Sequence, residues 1–418
     1  MLITGSPSLP KEKIKVLLLE GISETAFSTF IKKGYQNVER LTGSLSEVEL
    51  IERLQKVHIL GIRSRTQVTA DILNAAKRLM AVGCFSVGTN QIDLITAQLR
   101  GIPVFNAPFS NTRSVAELTI AEIVMLFRKT FPRSTAAHSG EWQKSATQSH
   151  EVRCKTLGII GYGNIGTQLA NLAEAMGMSV IYYDHTDKLR HGNAQPVGSL
   201  DKLLANSDIV TLHLPQTPET KGIIGAQEIS RMKDGAFLIN NARGDLVDID
   251  ALVSALKNGK LGGAAFDVFP VEPSSNAEVF KTKLQGIHNV ILTPHVGGST
   301  IEAQSRIGEE VALKLANYSD IGNTVGAVNF PEVLLPPRLI CTRYLQVHRN
   351  LPGILHRFNE VFSKSKINIL GQYLQTSGEI GYVVLDAICE RADAKDILKK
   401  IRELDGTIRA RVVHRITL

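Results

Sequence analysis

The sequence runs to 418 residues, 43% hydrophobic and 21% charged, with a formal net charge of +7. This excludes a disordered chain and leaves room for two or three folded domains. Its lysines and arginines are dispersed, which favours small anions over nucleic acid as partners, and its apolar runs are too short to predict a signal core or a membrane span.

From the N-terminus, apolar runs at Lys15 to Leu19, His58 to Ile62, Leu79 to Gly83 and Pro103 to Phe105 predict buried strands. Glu47 to Gln55 and Ala70 to Arg78 are helical in pattern, so the first third predicts a parallel sheet of its own. Arg63-Ser64-Arg65-Thr66 follows one strand and offers cations and hydroxyls suited to a phosphate. Arg113 to Phe127 predicts a long apolar helix, and Asn111 and Ser114 at its start fit either substrate contact or helix capping. Lys144, beside Trp142, fits an anion contact or a solvated position.

Thr156 to Ile160 then runs into Gly161-Tyr162-Gly163-Asn164-Ile165-Gly166 and a helix ending before the strand Val180 to Tyr183. This order predicts a dinucleotide cradle: Gly161 for the tight turn, Gly163 for close approach of the pyrophosphate, Gly166 for packing of helix on strand. Ile165, Leu169, Leu172 and Met176 predict the helix face that packs on the sheet. Asp184, 18 residues past Gly166, suits the ribose hydroxyls and repels a 2'-phosphate, which predicts NAD over NADP; His185, Lys188 and Arg190 soften that preference or form a solvated loop.

Ligands of an open parallel sheet bind beyond the carboxyl ends of its strands. Three apolar runs end in polar segments there: Asn240-Asn241-Ala242-Arg243-Gly244-Asp245, Asp267 to Pro273, and Pro294-His295-Val296-Gly297-Gly298. His295 suits a proton acceptor and donor, Glu272 suits a partner that favours the charged imidazole, and Arg243 suits a two-pronged grip on a carboxylate. Taken singly, each also fits a surface ion pair, a turn residue or a buried imidazole. Their common placement after successive strands points to hydride transfer on a 2-hydroxy acid.

Thr300 to Asn317 predicts a second long helix, so the cofactor domain is expected to be inserted in the first one. A proline-rich linker, Phe330 to Pro337, leads to a module of order βαββαβ: Leu339 to His348, Pro352 to Ser363, Ile367 to Leu374, Tyr382 to Ala387, Asp393 to Leu404 and Ile408 to His414. Cys84, Cys154, Cys341 and Cys389 are scattered without a C-x-x-C pair, pointing away from a metal site or disulfides and towards a reducing, cytoplasmic setting.

Through G-Y-G-N-I-G, N-N-A-R-G-D, D-V-F-P-V-E-P and T-P-H-V-G-G-S-T the chain resembles the D-isomer-specific 2-hydroxyacid dehydrogenases. G-I-R-S-R-T, G-C-F-S-V-G-T-N-Q and F-N-A-P-F-S-N-T-R-S-V-A-E-L are similar to the branch of that family acting on 3-phosphoglycerate. The resemblance implies an α/β protein with a Rossmann-type NAD domain (111–299) inserted in a flavodoxin-like substrate domain (11–110 and 300–332). A ferredoxin-like ACT domain (339–418) follows. It implies His295 as acid/base, Glu272 as its partner and Arg243 as carboxylate anchor. NAD contacts would come from Asn164, Ile165, Asp184, Asn241, Ala242, Arg243, Asp267, His295, Val296, Gly297 and Gly298. Arg63, Ser64 and Asn111 would bind substrate, with Trp142 and Lys144 near a neighbouring subunit's cleft. His348, Asn350 and Asn368 would hold L-serine as effector between two modules of a homotetramer; an asparagine there also fits turn capping.

The implied reaction is NAD-dependent oxidation of 3-phosphoglycerate to 3-phosphooxypyruvate, the first step towards L-serine, with feedback by serine. Two other functions remain open on the sequence: a broader 2-oxoacid reductase acting on substrates such as 2-oxoglutarate, and an NAD-sensing protein of the co-repressor kind.

Overall fold

Short, mostly buried strands alternating with helices open the computed structural model, which describes residues 9–273, 277–336 and 340–416. The chain divides into two units, Met1–Ser110 with Gln304–Leu418, and Asn111–Ala303. The first stretch runs β1 (Lys15–Leu18), α1 (Glu24–Lys32), β2 (Asn37–Arg40), α2 (Glu47–Leu54), β3 (Ile59–Ile62), α3 (Ala70–Ala75), β4 (Ala81–Cys84), α4 (Leu94–Leu99) and β5 (Val104–Phe105). All pairs are parallel, in the flavodoxin-like order β2-β1-β3-β4-β5. Every residue of β3 and β4 is buried, as helices on both faces require. Strand β2 is hidden in the sequence because, as a mostly exposed edge strand, it carries polar residues. Helix α3 stops at Ala75, short of Arg78, where Ala76 leaves helical geometry at ψ 67°.

The second unit holds α5 (Thr112–Arg128), α6 (Thr130–His138), β6 (Thr156–Ile160), α7 (Asn164–Ala175), β7 (Ser179–Tyr183), β8 (Gln195–Pro196), α8 (Leu200–Asn206), β9 (Ile209–Leu212), α9 (Ala226–Arg231), β10 (Ala236–Asn240), α10 (Ile249–Lys257), β11 (Leu261–Phe266) and β12 (Val290–Leu292). Its seven parallel strands lie in the order β12-β11-β10-β9-β6-β7-β8, so the winding reverses between β6 and β9. A dinucleotide crevice belongs at such a reversal. Helix α5 buries Ala116, Ile123, Leu126 and Phe127 on one face of this sheet, with Phe127 edge-on to Phe237 at 4.8 Å. The buried face of α7 is Gly166, Leu169, Ala170 and Ala173, which corrects the expected stripe: Ile165 and Leu172 are half-buried and Met176 is exposed. Small residues face inward because α5 packs closely against α7.

Helix α11 (Ile301–Ile321) returns to the first unit. It rides directly on β4, since a Cβ at Gly83 would stand 2.6 Å from Leu315 and 2.8 Å from Val311. The expected linker is instead a docked strap: Phe330, Val333 and Leu335 are buried, and Thr324 Oγ1 donates to Pro331 O and accepts from Val333 N. Pro337 and Leu339 of the expected linker and strand lie outside the described residues.

The module then follows as β13 (Ile340–Arg349), α12 (Ile354–Lys364), β14 (Ile369–Ser377), β15 (Ile380–Ala387), α13 (Arg391–Glu403) and β16 (Thr407–Ile416), an antiparallel sheet of order β14-β15-β13-β16. One face of that sheet, with Leu345, Val347, Ile380, Tyr382 and Val384, joins the core beneath α11. The last carbonyls of a helix have no partner within it. Those of α11 are served from the module: Arg411 donates to Ser319 O at 3.0 Å and to Tyr318 O, and Arg343 to Ile321 O at 3.0 Å. Tyr382 Oη donates to the following Gly322 O at 2.7 Å. Arg343 is fixed in turn by Asp386 at 2.6 and 2.8 Å, both side chains buried.

Candidate active site

The turn after β6 is shaped by crowding at two of its glycines. Gly161 has φ 93°, and a Cβ there would lie 2.5 Å from His213 O; a Cβ on Gly166 would lie 2.5 Å from Gly161 O. Gly163 differs, because a Cβ would meet nothing within 4 Å. The protein thus leaves open space before the first amides of α7, with Asn164 exposed and Ile165 half-buried there, and this fits a pyrophosphate held by a helix N-terminus. Asp184 follows β7, accepting from Tyr162 N at 2.9 Å and Thr186 N at 3.0 Å. Burial pushes its pKa up, but these bonds and Lys188 outweigh it and hold the carboxyl below its usual range, so it stays anionic and could accept from a ribose hydroxyl. His185 is 3.3 Å away but largely exposed.

Arg243, Glu272 and His295 follow β10, β11 and β12 in turn. His295 Nδ1 meets Glu272 Oε2 at 2.7 Å, and Glu272 Oε1 accepts from Phe269 N at 2.9 Å. That contact is the main cause raising the His295 pKa; burial opposes it, and the charges of Glu272 and Asp267 add to it. For Glu272 burial pushes upward, yet His295, Phe269 N and Arg243 together lower its pKa. Burial lowers the Arg243 pKa against the pull of Glu272, so the three groups share one field. Arg243 Nη1 is braced on Ala242 O at 2.6 Å.

His295 stands in the left-handed region at φ 53°, a strain of about 1–3 kcal/mol for such a residue. Asp267 holds it there. This buried carboxylate accepts from Thr293 Oγ1 at 2.6 Å, Val296 N at 2.8 Å and Gly297 N at 2.7 Å. Burial raises its pKa despite those three bonds.

Asn111 and Ser114 do not cap α5. Asn111 makes no capping bond, its Oδ1 is buried without a partner, and its side chain lies against Gly298; Ser114 Oγ is instead 2.7 Å from Thr300 Oγ1. Asn241 turns its side chain inward, donating to Thr119 Oγ1 at 3.0 Å and Glu122 Oε2 at 2.7 Å. Glu122 was not visible as a site residue in the sequence. It is buried, its Oε1 lacks a partner, and burial pushes its carboxyl up to about 8 against the Asn241 bond, with the charge of Asp267 adding to the rise.

In the other unit, Arg63, Ser64 and Arg65 follow β3 with Ser64 and Arg65 exposed. The sequence also missed Glu20, whose carboxylate accepts from the amides of Arg63, Arg65 and Thr66. Trp142 and Lys144 lie on an exposed segment. In the C-terminal module, His348 is buried against Gly381 and burial pulls its pKa to about 4, so its ring is neutral. Asn350 and Asn368 are exposed; Asn350 Nδ2 donates to Gly378 O at 3.3 Å, holding the β14–β15 turn. The structure thus gathers His295, Glu272, Arg243 and Asp267, whereas His348 is sealed while the two asparagines are open.

A dinucleotide crevice in a domain that also carries a paired histidine and glutamate and an arginine on its strand ends fits a class: oxidoreductases acting on small hydroxy acids. Residues 120–297 match the NAD binding domain of D-isomer specific 2-hydroxyacid dehydrogenases, and residues 345–409 match an AHAS small subunit-like ACT domain. The D-3-phosphoglycerate dehydrogenase of Haemophilus influenzae is 54% identical over 412 residues, 99% of this chain and 100% of its own length. That of Escherichia coli (strain K12) is 51% identical over 407 residues, 97% of this chain and 99% of its own. Among solved structures, the D-lactate dehydrogenase of Aquifex aeolicus, complexed with NAD and lactic acid, is similar with a TM-score of 0.65 at 29% identity, covering 76% of this chain and 100% of that one. The chain belongs to the D-isomer specific 2-hydroxyacid dehydrogenase family.

Proposed function

We propose that this chain oxidises 3-phospho-D-glycerate to 3-phosphooxypyruvate with NAD, the first step towards L-serine. The names of its relatives support the substrate, and the 2.7 Å contact between His295 Nδ1 and Glu272 Oε2 carries the chemistry. Bound NAD supplies the hydride acceptor. With Nδ1 held by Glu272, Nε2 is the nitrogen that takes the hydroxyl proton in oxidation and returns it in reduction. Its raised pKa keeps the ring protonated over a wider range, so reduction is served until pH rises through that value, and oxidation is served above it. Arg243 grips the substrate carboxylate with its planar fork and polarises the neighbouring carbonyl. Asp267 keeps the His295–Gly297 turn aimed.

We assign residues 111–299 to NAD, residues 11–110 and 300–332 to substrate, with Arg63, Ser64, Asn111 and Lys144 as its contacts, and residues 339–418 to regulation. L-serine is the effector proposed for the module: the open amides of Asn350 and Asn368 can both donate to and accept from a zwitterion. A homotetramer in the cytoplasm completes the assignment. Initial rates with phosphohydroxypyruvate and NADH, with and without serine, test the substrate, the cofactor and the effector. We expect turnover that serine lowers. Brisk reduction of glyoxylate or pyruvate with no turnover of the phosphorylated acid overturns the substrate, and NAD binding without any turnover favours a sensing protein.

A further inference from the structure

Converging backbone amides in a turn make a concave site for an anion. The amides of Arg63, Arg65 and Thr66 converge in this way, but the site is filled from within the chain. Glu20 Oε1 accepts from Arg63 N at 3.1 Å and Thr66 N at 2.9 Å, and Oε2 accepts from Arg65 N at 2.9 Å. Arg63 Nη1 also donates to Glu20 O at 3.4 Å, and Gln91 Nε2 donates to the Arg63 carbonyl. We propose that Glu20 is a fixed internal anion that sets the shape of the loop 63–66, leaving a substrate's phosphate to the side chains of Arg63, Ser64 and Arg65. This rests on the reading of that loop as a substrate contact.

The backbone at Glu20 supports a purpose for its carboxylate. Glu20 sits at φ 60°, a conformation that glycine or asparagine adopts far more readily, and Gly21 beside it has φ 63°. The chain nevertheless places a glutamate there, nearly buried, with its N–H fixed on Gly43 O at 3.0 Å. What the strain secures is an acceptor with two oxygens for three amides. The guanidinium of Arg63 also reaches back to the Glu20 carbonyl, so side chain and backbone of this one glutamate both hold the loop.

Glu20→Ala and Glu20→Gln, made in the full chain, test this. Losing the carboxylate should raise KM for phosphohydroxypyruvate about tenfold, the effect of about one charge-assisted hydrogen bond. We expect kcat to stay within about twofold of wild type, because no group at the reacting carbon changes. KM for NADH should not move. Formate, a bare carboxylate, should restore much of the lost affinity in Glu20→Ala and leave wild type unaffected. Hydrogen exchange at the amides of Arg63, Arg65 and Thr66 should quicken in the variant and slow again with formate. An unchanged KM in both variants, a fall in kcat alone, or unaltered exchange overturns the proposal. If Glu20→Ala fails to fold, Glu20→Gln, of nearly the same volume, carries the kinetic and exchange tests. A wild type inert towards the phosphorylated acid removes the substrate reading, while exchange at the three amides still decides what Glu20 does.

Discussion

Two ion pairs of nearly equal length do opposite work in this molecule. His295–Glu272 meets at 2.7 Å with side chains 54% and 33% exposed, and Arg343–Asp386 meets at 2.6 Å with side chains 5% and 0% exposed. The first joins an imidazole, whose protonation the neighbouring carboxylate favours, to that carboxylate at an open rim, where the proposed reaction needs a proton to come and go. The second joins an arginine that stays charged to a sealed carboxylate, and the same guanidinium reaches Ile321 O and Pro336 O. Contact length does not distinguish the pair proposed for proton transfer from the structural one; solvent access and the kind of base do.

Substitutions should separate the two. His295→Gln removes the proton acceptor and should lower kcat by about 10²–10⁴-fold, measured in both directions, with little change in melting temperature because the ring is half-exposed. Activity retained within a few-fold would remove His295 from the chemistry. Asp386→Asn leaves Arg343 buried without its countercharge and should destabilise the protein by about 3–5 kcal/mol in denaturant melts. Replacing both partners, Arg343→Met with Asp386→Leu, should cost less than Asp386→Asn alone, since no unpaired charge remains. A double variant worse than the single one would show that the bonds to Ile321 O and Pro336 O outweigh the pair itself.

Glu272→Gln acts on the first pair through pH. The glutamate is the main cause of the raised His295 pKa, so its loss lowers that pKa, and the falling limb of the reductive pH profile should move to lower pH. Asp267 still favours the charged ring, so the limb should shift without disappearing. An unmoved limb would mean that another group controls it.

The rim was legible in the sequence because each of its residues ends an apolar run. Strand, then polar turn, is a local pattern, and Arg243, Glu272 and His295 all follow it. The glycine turn at 161–166 and Asp184 are local as well. What stayed hidden is long-range: Glu20 lies 43 to 46 residues from the amides it holds, Glu122 lies 119 from Asn241, and Arg343 lies 43 from Asp386. Such pairs are defined only once strands and helices are packed. The strap at Phe330 to Leu335 misled for a related reason, since prolines signal a linker while the burial of Phe330, Val333 and Leu335 needs the neighbouring core. On α7 only Leu169 of the expected stripe is fully buried, and the rest of the inward face is Gly166, Ala170 and Ala173, which apolar periodicity underweights.

Glu122 makes a third case, a buried acid with a hydrogen-bond partner and, among the described residues, no ion pair. Its carboxyl is pushed up to about 8 from an ordinary 4.5, chiefly by burial. Folded protein therefore holds this proton where the unfolded chain has released it. Stability is full below the unfolded value and declines as pH rises towards the folded one, by on the order of a few kcal/mol in total. Glu122→Gln fills the same space and keeps an acceptor for Asn241 Nδ2 but cannot ionise. Urea midpoints taken between pH 5 and pH 8 should fall for wild type and stay flatter for the variant, which should be the more stable of the two at the alkaline end. Parallel curves would mean that Glu122 is already ionised in the folded protein and that its Oε1 has found a donor.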